Sequence, residues 1–151
     1  MVKRVRKRKR GKAIKPELVY MDTSALIAFF NPNDKNHKRA VEFFESKAVS
    51  GARFVIGRPV LMEFLNGASK RAGKKVALEL KRLIEASHFV RVENETEEDW
   101  ERAWEIFERF DDHDGMDVTD CLSFAIMERL GIKEAFTFDG DFEAYGFKRA
   151  P

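Results

Sequence analysis

Two short, largely apolar runs far apart in the chain each deliver an aspartate. Leu18-Val19-Tyr20-Met21 leads into Asp22, and Ala135-Phe136-Thr137-Phe138 leads into Asp139. Runs of this length are too short for a stable helix, and without polar alternation they read as strands covered on both faces. Such strands belong to parallel sheets with helices on either side. Arg53-Phe54-Val55-Ile56 and Phe89-Val90-Arg91-Val92 supply two more strands, and a short fifth is expected near Phe147. Helical patterns fill the intervals. The alternation predicts an α/β chain: a three-layer α/β/α sandwich around a central parallel sheet of four to five strands.

The helical segments carry their own punctuation. Thr23-Ser24 offers N-cap chemistry before Ala25-Leu26-Ile27-Ala28-Phe29-Phe30, and Asn31-Pro32-Asn33-Asp34 ends that helix. Ala40, Val41, Phe43 and Phe44 form the apolar face of a second helix. Pro59 suits the first turn of a third, which carries Glu63 among Leu61, Met62, Phe64 and Leu65. After Gly73, an amphipathic segment holds Val76, Leu78, Leu80, Leu83 and Ile84. A long helix from Asn94 to Phe110 spaces Trp100, Ala103, Trp104 and Phe107 by three and four residues, as core or as dimer surface. Val118 to Leu130 is a helix capped by Asp117 and stopped by Gly131.

Charge divides the chain unevenly. The formal net charge is only +2, yet residues 1–15 hold nine basic groups and no acid: Lys3, Arg4, Arg6, Lys7, Arg8, Lys9, Arg10, Lys12 and Lys15. Removing those nine from the 28 leaves 19 basic against 26 acidic residues in 16–151, a formal −7. Residues 1–15 are expected to be a disordered basic tail ahead of one domain spanning 16–151. Two readings of the tail stand: an arm that grips RNA backbone, or a solubilising extension. No apolar run approaches the ~20 residues that span a bilayer, and the basic N-terminus lacks the apolar segment of a secretory signal. One cysteine, Cys121, forms no internal disulfide and fits a reducing cytoplasm. Fourteen Phe against two Tyr and two Trp predict a dry, Phe-rich core.

In open parallel sheets, sites form beyond the carboxyl ends of the strands. Asp22 and Asp139 are expected there, each directly after its strand. Glu63 follows the second strand on a helix, and Asp120 sits in the first turn of the helix after an acidic loop. Crowded carboxylates repel unless a hard cation such as Mg2+ or Mn2+ neutralises them, and such ions prefer oxygen ligands. Each acid also has a plainer reading: Asp22 as an N-cap, Glu63 as a surface residue, Asp120 as a complement to the helix dipole, Asp139 as a turn residue. The joint pattern favours one metal site. Asp22 and Asp120 are the expected direct ligands, with Glu63 and Asp139 completing the set. Thr23, Ser24 and Thr137 are candidates for orienting water or phosphate around it, with capping and strand propensity as their alternative.

These residues resemble a family. Tyr20-Met21-Asp22-Thr23-Ser24-Ala25-Leu26-Ile27 resembles the opening motif of PIN domains, and Val60-Leu61-Met62-Glu63-Phe64 their second. Thr119-Asp120-Cys121-Leu122-Ser123-Phe124-Ala125 resembles the third, and Thr137-Phe138-Asp139-Gly140-Asp141-Phe142 the fourth, Thr-x-Asp-x-x-Phe. The resemblance runs in order from Leu18 to Phe147. It implies an α/β/α sandwich, Mg2+- or Mn2+-dependent RNA hydrolysis by Asp22, Glu63, Asp120 and Asp139, and frequent homodimerisation. Many compact prokaryotic members are VapC-type toxins held inactive by a cognate antitoxin, which implies such a partner here. Asp117 and Asp141 are extra acids that can exchange roles with their matched neighbours. The chain departs from the compact toxins in placing its first motif acid as late as Asp22. A housekeeping RNA-processing nuclease and a non-catalytic RNA-binding scaffold are the alternatives.

Other chemistries fit worse. Gly67 to Gly73 before Lys74-Lys75 has five intervening residues and no following Ser or Thr, so it is no phosphate-binding loop. The segment around Asp112 to Cys121 places Phe110 and Cys121 where a calcium loop needs acids. His37, His88 and His113 show no metal-ligand pairing, and His113 reads as a solvated loop residue near the acids. A haloacid-dehalogenase-like phosphatase needs a second Asp where Ser24 stands. A receiver domain needs an Asp after the central strand, whereas the third strand runs into Val92-Glu93-Asn94.

Overall fold

Strand β1 (Leu18–Met21) occupies the centre of a five-stranded, all-parallel sheet with β2 (Arg53–Gly57), β3 (Val90–Glu93), β4 (Glu134–Phe136) and β5 (Lys148–Ala150). The order is β3-β2-β1-β4-β5, so the chain winds outward on one side of β1 and then returns to its other side. The computed structural model describes residues 15–151; the expected basic tail, including Lys3, Arg4, Arg6, Lys7, Arg8, Lys9 and Arg10, lies outside the described residues except for Lys15. The helices are α1 (Thr23–Phe30), α2 (His37–Val49), α3 (Arg58–Ala72), α4 (Lys74–Ala86), α5 (Glu97–Arg109), α6 (Val118–Leu130) and the short α7 (Asp141–Tyr145).

Strand alternation divides the core into two halves. From β1, Met21 faces Leu26, Phe29 and Phe44, whereas Tyr20 faces Ser123 of α6 and Phe142 of α7. On the first face Phe44 stacks on Phe54, with ring centroids 4.5 Å apart, and Phe43 packs on Phe136. On the second, Phe124 stacks on Tyr145 at 4.5 Å and meets Phe142 edge-on. The expected Phe-rich core is therefore two aromatic layers, one on each side of the sheet. Each such pair adds about 0.5–1.5 kcal/mol beyond the area it buries. Gly57 has to be glycine: a Cβ there would lie 2.3 Å from the Tyr20 hydroxyl, which donates to Ser123 Oγ at 2.8 Å.

Several sequence expectations need correction. The N-cap of α1 is Asp22, and Thr23 and Ser24 lie inside the helix; the Asp22 side chain makes no capping hydrogen bond, because it is turned elsewhere. Strand β4 ends at Phe136, so Asp139 does not follow it directly. The backbone of Thr137 still pairs with β5 through the Ala150 carbonyl, but Phe138 N–H is taken by the Ser24 hydroxyl. The long helix starts at Glu97, where Thr96 and Asp99 form a capping box, rather than at Asn94. Residues 141–145 form a short helix to which the sequence pattern assigns no element. Gly67 lies within α3 and Lys74-Lys75 opens α4, in keeping with the rejection of a phosphate loop. Among the described residues, no helix is long and apolar enough to cross a membrane.

Candidate active site

The strand order reverses between β1 and β4, and a crevice opens beyond the carboxyl ends of neighbouring strands at such a switch point. Asp22 stands at the end of β1 with its backbone N–H on the Phe136 carbonyl of β4. Its side chain is buried. Thr137 Oγ1 donates to Asp22 Oδ2 at 3.0 Å, and Ser24 Oγ lies 3.2 Å from the same oxygen and 3.1 Å from Thr137 Oγ1. The two hydroxyls in turn accept from backbone: Phe138 N–H to Ser24 and Asp139 N–H to Thr137, both at 2.9 Å. The two hydroxyls thus fix Asp22, and Thr137 couples it to the loop that carries Asp139.

From the other side, α6 brings Asp120. Asp117 and Asp120 form a reciprocal capping box: Asp120 N–H donates to Asp117 Oδ1 at 2.9 Å, and Asp117 N–H donates to Asp120 Oδ2 at 3.1 Å. Asp120 is therefore less free than its sequence suggested, with one oxygen committed to the helix end and the other available. Asp139 accepts from Asp141 N–H at 3.0 Å, which turns the chain into α7. One carboxylate oxygen from each of Asp120, Asp139 and Asp141 lies within 4.8 Å of the other two. Asp22 and Glu63 stand outside that trio. Glu63 is exposed, at the mouth of a groove it lines together with Thr23.

Electrostatics join all of these acids. Burial, the charge of Asp117 and then those of Asp22 and Asp139 push the Asp120 carboxyl up to about 8. Burial followed by Asp139 raises Asp22, although its hydroxyl partners oppose the shift. Burial, then Asp141 and Asp117, raise Asp139. Glu63 is raised by partial desolvation and by the charges of Asp117 and Asp22. With burial and mutual repulsion raising Asp22, Glu63, Asp120 and Asp139 together, the acids form an all-oxygen donor set suited to Mg2+ or Mn2+. Cys121, beside Asp120, is buried and pushed up to about 11 by that burial and by the same acids, so its thiol is inert and offers no soft ligand.

Comparison with known proteins adds to this geometry. The PIN domain profile matches residues 19–148. The chain belongs to the PIN-domain family. This PIN domain is 34% identical over 132 residues to the protein named 23S rRNA-specific endonuclease VapC20 from Mycobacterium tuberculosis, with 86% of this chain and 95% of the relative covered. The crystal structure of Mycobacterium tuberculosis VapC20, described as a sarcin-ricin loop cleaving toxin, superposes with a TM-score of 0.76 at 33% identity, covering 85% of this chain and 95% of that one. VapBC2 from Rickettsia felis, solved bound to a DNA fragment from its promoter, gives a TM-score of 0.68 at 13% identity and covers 87% and 96%. FitAcB from Neisseria gonorrhoeae gives 0.67 at 16% identity, over 88% and 96%. These last two show the shared fold.

Two members of the site carried weaker sequence signals than the motif acids. Asp141 was a neighbour of a motif residue, and only the turn into α7 brings it within reach of Asp120. His113 read as a solvated loop residue, yet its Nε2 is 3.1 Å from Asp141 Oδ1. No spacing rule links a loop histidine to an acid 28 positions on; the fold alone brings them together.

Proposed function

We propose that this PIN domain is a Mg2+- or Mn2+-dependent endoribonuclease that cuts ribosomal RNA in the cytoplasm as the toxin of a toxin–antitoxin pair. The observation that carries the reading is the trio of Asp120, Asp139 and Asp141, with Asp22 coupled to it by charge, at the reversal of strand order in a PIN fold. The substrate class follows from the VapC20 relative, whose name specifies 23S rRNA, and the antitoxin from the toxin role in that relative's description. The proposed homodimer is supported by α5, whose outward face leaves Trp100, Trp104 and Phe107 exposed.

Asp22, Asp120, Asp139 and Asp141 would hold the cation, with Glu63 at the groove mouth completing the set. Bound there, a divalent cation supplies the Lewis acidity that phosphodiester hydrolysis needs. The protein's own contribution is preorganisation. Thr137 and Ser24 hold Asp22 in one rotamer, and Thr137 pins the backbone of Asp139. Asp117 fixes one oxygen of Asp120 by accepting and donating across the helix end. Thr23 lines the groove beside Glu63, and its buried hydroxyl favours the charged form of that carboxyl.

The test is cleavage of ribosomal RNA by purified protein with Mn2+. Asp22→Asn and Asp120→Asn are each expected to lower the rate at least 100-fold, about 2.7 kcal/mol in barrier, and EDTA to abolish it. Equal cleavage by wild type and both variants would end the proposal.

A further inference from the structure

The described part of the chain is strongly polarised in charge. Residues 58–82, which include α3 and most of α4, hold seven Arg and Lys against two Glu, whereas residues 97–117 hold ten acids against two Arg. Outside the basic tail the chain is acidic, so the α3–α4 hairpin is a local exception. At its tip, Lys70, Arg71, Lys74 and Lys75 flank Gly73 and are exposed. Among the described residues, none of the four has a carboxylate within ion-pair distance. Residues 1–14 contain no Asp or Glu that could supply one.

A groove of about 340 Å³ runs between α1 and this hairpin. Thr23 and Glu63 line it at the acid cluster, and Arg71 lines it further along α3. The eight residues from Glu63 to Arg71 advance about 12 Å at ~1.5 Å each, so a phosphate held by Arg71 is not the one at the acids. The walls are apolar, with Ile27, Phe64, Val76 and Leu80. Gly67 and Ala68 keep α3 shallow there, and a Cβ added to Gly67 would meet nothing within 4 Å. An apolar trough with negative charge at one end and unpaired cations at the other suits a strand that buries base faces and presents phosphates outward.

We propose that the groove between α1 and the α3–α4 hairpin carries the single-stranded RNA adjoining the scissile phosphate, with Arg71, Lys74 and Lys75 as its backbone contacts. The inference rests on the nuclease reading above. It also addresses a difficulty of that reading: an acidic crevice repels a polyanion, and a basic rim one groove-length away captures the strand and steers it inward.

The test uses the full chain and a fluorescein-labelled, mixed-sequence 20-nucleotide RNA, with Ca2+ in place of Mn2+, read by anisotropy across a salt series. The variant Arg71→Gln/Lys74→Gln/Lys75→Gln keeps good helix formers at exposed positions. It is expected to weaken binding about 10-fold or more and to reduce the slope of log K against log salt by about 2, at ~0.7 per phosphate contact on a single strand. Gly67→Phe, which puts a ring into the trough, is expected to weaken binding with the salt slope unchanged. Unchanged affinity and slope in the triple variant overturn the proposal, and so does wild-type affinity in Gly67→Phe. If wild type cuts no RNA with Mn2+ while the variants still weaken binding as expected, the nuclease reading fails and the RNA path stands.

Discussion

Thr137 does more than its place in a strand-like run suggests. It is fully buried, donates to Asp22 and accepts from Asp139 N–H, so one hydroxyl ties the two motif aspartates together. Thr137→Val keeps the shape and removes both hydrogen bonds. It leaves a buried carboxylate short of a donor, a loss of about 1–3 kcal/mol. Mn2+ affinity is expected to fall about 10-fold, as for other groups that orient metal ligands, with Thr137→Ser restoring most of it. Calorimetric titration with Mn2+ checks this, and wild-type affinity in the valine variant would show that Thr137 does not position Asp22. The sequence exposed these aspartates clearly, because an acid after an apolar run is easy to see. It could not expose these contacts, since Ser24 and Thr137 have no local reason to meet. The apolar neighbours of Glu63 in sequence do not enclose it, and it is exposed at the groove. On a helix, adjacent residues point in different directions, so apolar neighbours in sequence do not enclose a side chain.

At the scale of elements, α6 joins structure and site. Its capping box uses the same Asp120 that faces the acid cluster, so helix stability and site charge are coupled. Asp117→Ala removes a cap whose loss costs about 1 kcal/mol, but it also removes the neighbouring charge that ranks next after burial in raising Asp120. Urea unfolding is therefore expected to show the full loss with Mn2+ present and a smaller loss in EDTA, where relief of repulsion offsets the missing cap. Equal losses in both conditions would show that Asp117 does not act on Asp120. Helix existence was legible from period and punctuation: Pro59, Gly73, Asp117 and Gly131 mark real boundaries. The boundaries that shifted did so for tertiary reasons. Strand β4 stops at Phe136 because the Phe138 N–H is taken by Ser24 of α1, a partner on a different element.

For the whole molecule, the raised acids set how stability depends on pH. Unfolded carboxyls titrate near 4, whereas Asp120 in the fold titrates at about 8. Between those values the folded protein binds more protons than the unfolded chain, so metal-free stability falls as pH rises towards 8 and then levels. Asp99, Glu128 and Glu134 are shifted the opposite way by their cationic partners despite burial, and they act at the acid end, as pH falls below about 4. In EDTA, the melting midpoint is expected to be roughly 2–4 °C lower at pH 8.5 than at pH 6, the shift given by about 1 kcal/mol at this chain length. Mn2+ should close that gap and Asp120→Asn should flatten it; a midpoint that rises with pH in EDTA would contradict the assignment. Assembly is tested at the same scale. Trp104 is half-exposed on α5, and Trp104→Glu is expected to halve the mass seen by light scattering, whereas an unchanged mass would move the interface elsewhere.

The reversal of strand order has a consequence in time as well as in space. The chain must travel from β1 through β2 and β3 before β4 arrives to pair with β1, and only that pairing sets Thr137 and Asp139 beside Asp22. A chain part-way through synthesis therefore lacks the contacts that join Thr137 and Asp139 to Asp22. If the activity proposed here is directed at ribosomes, the machine that makes this protein is exposed to it only after nearly the whole chain has been translated.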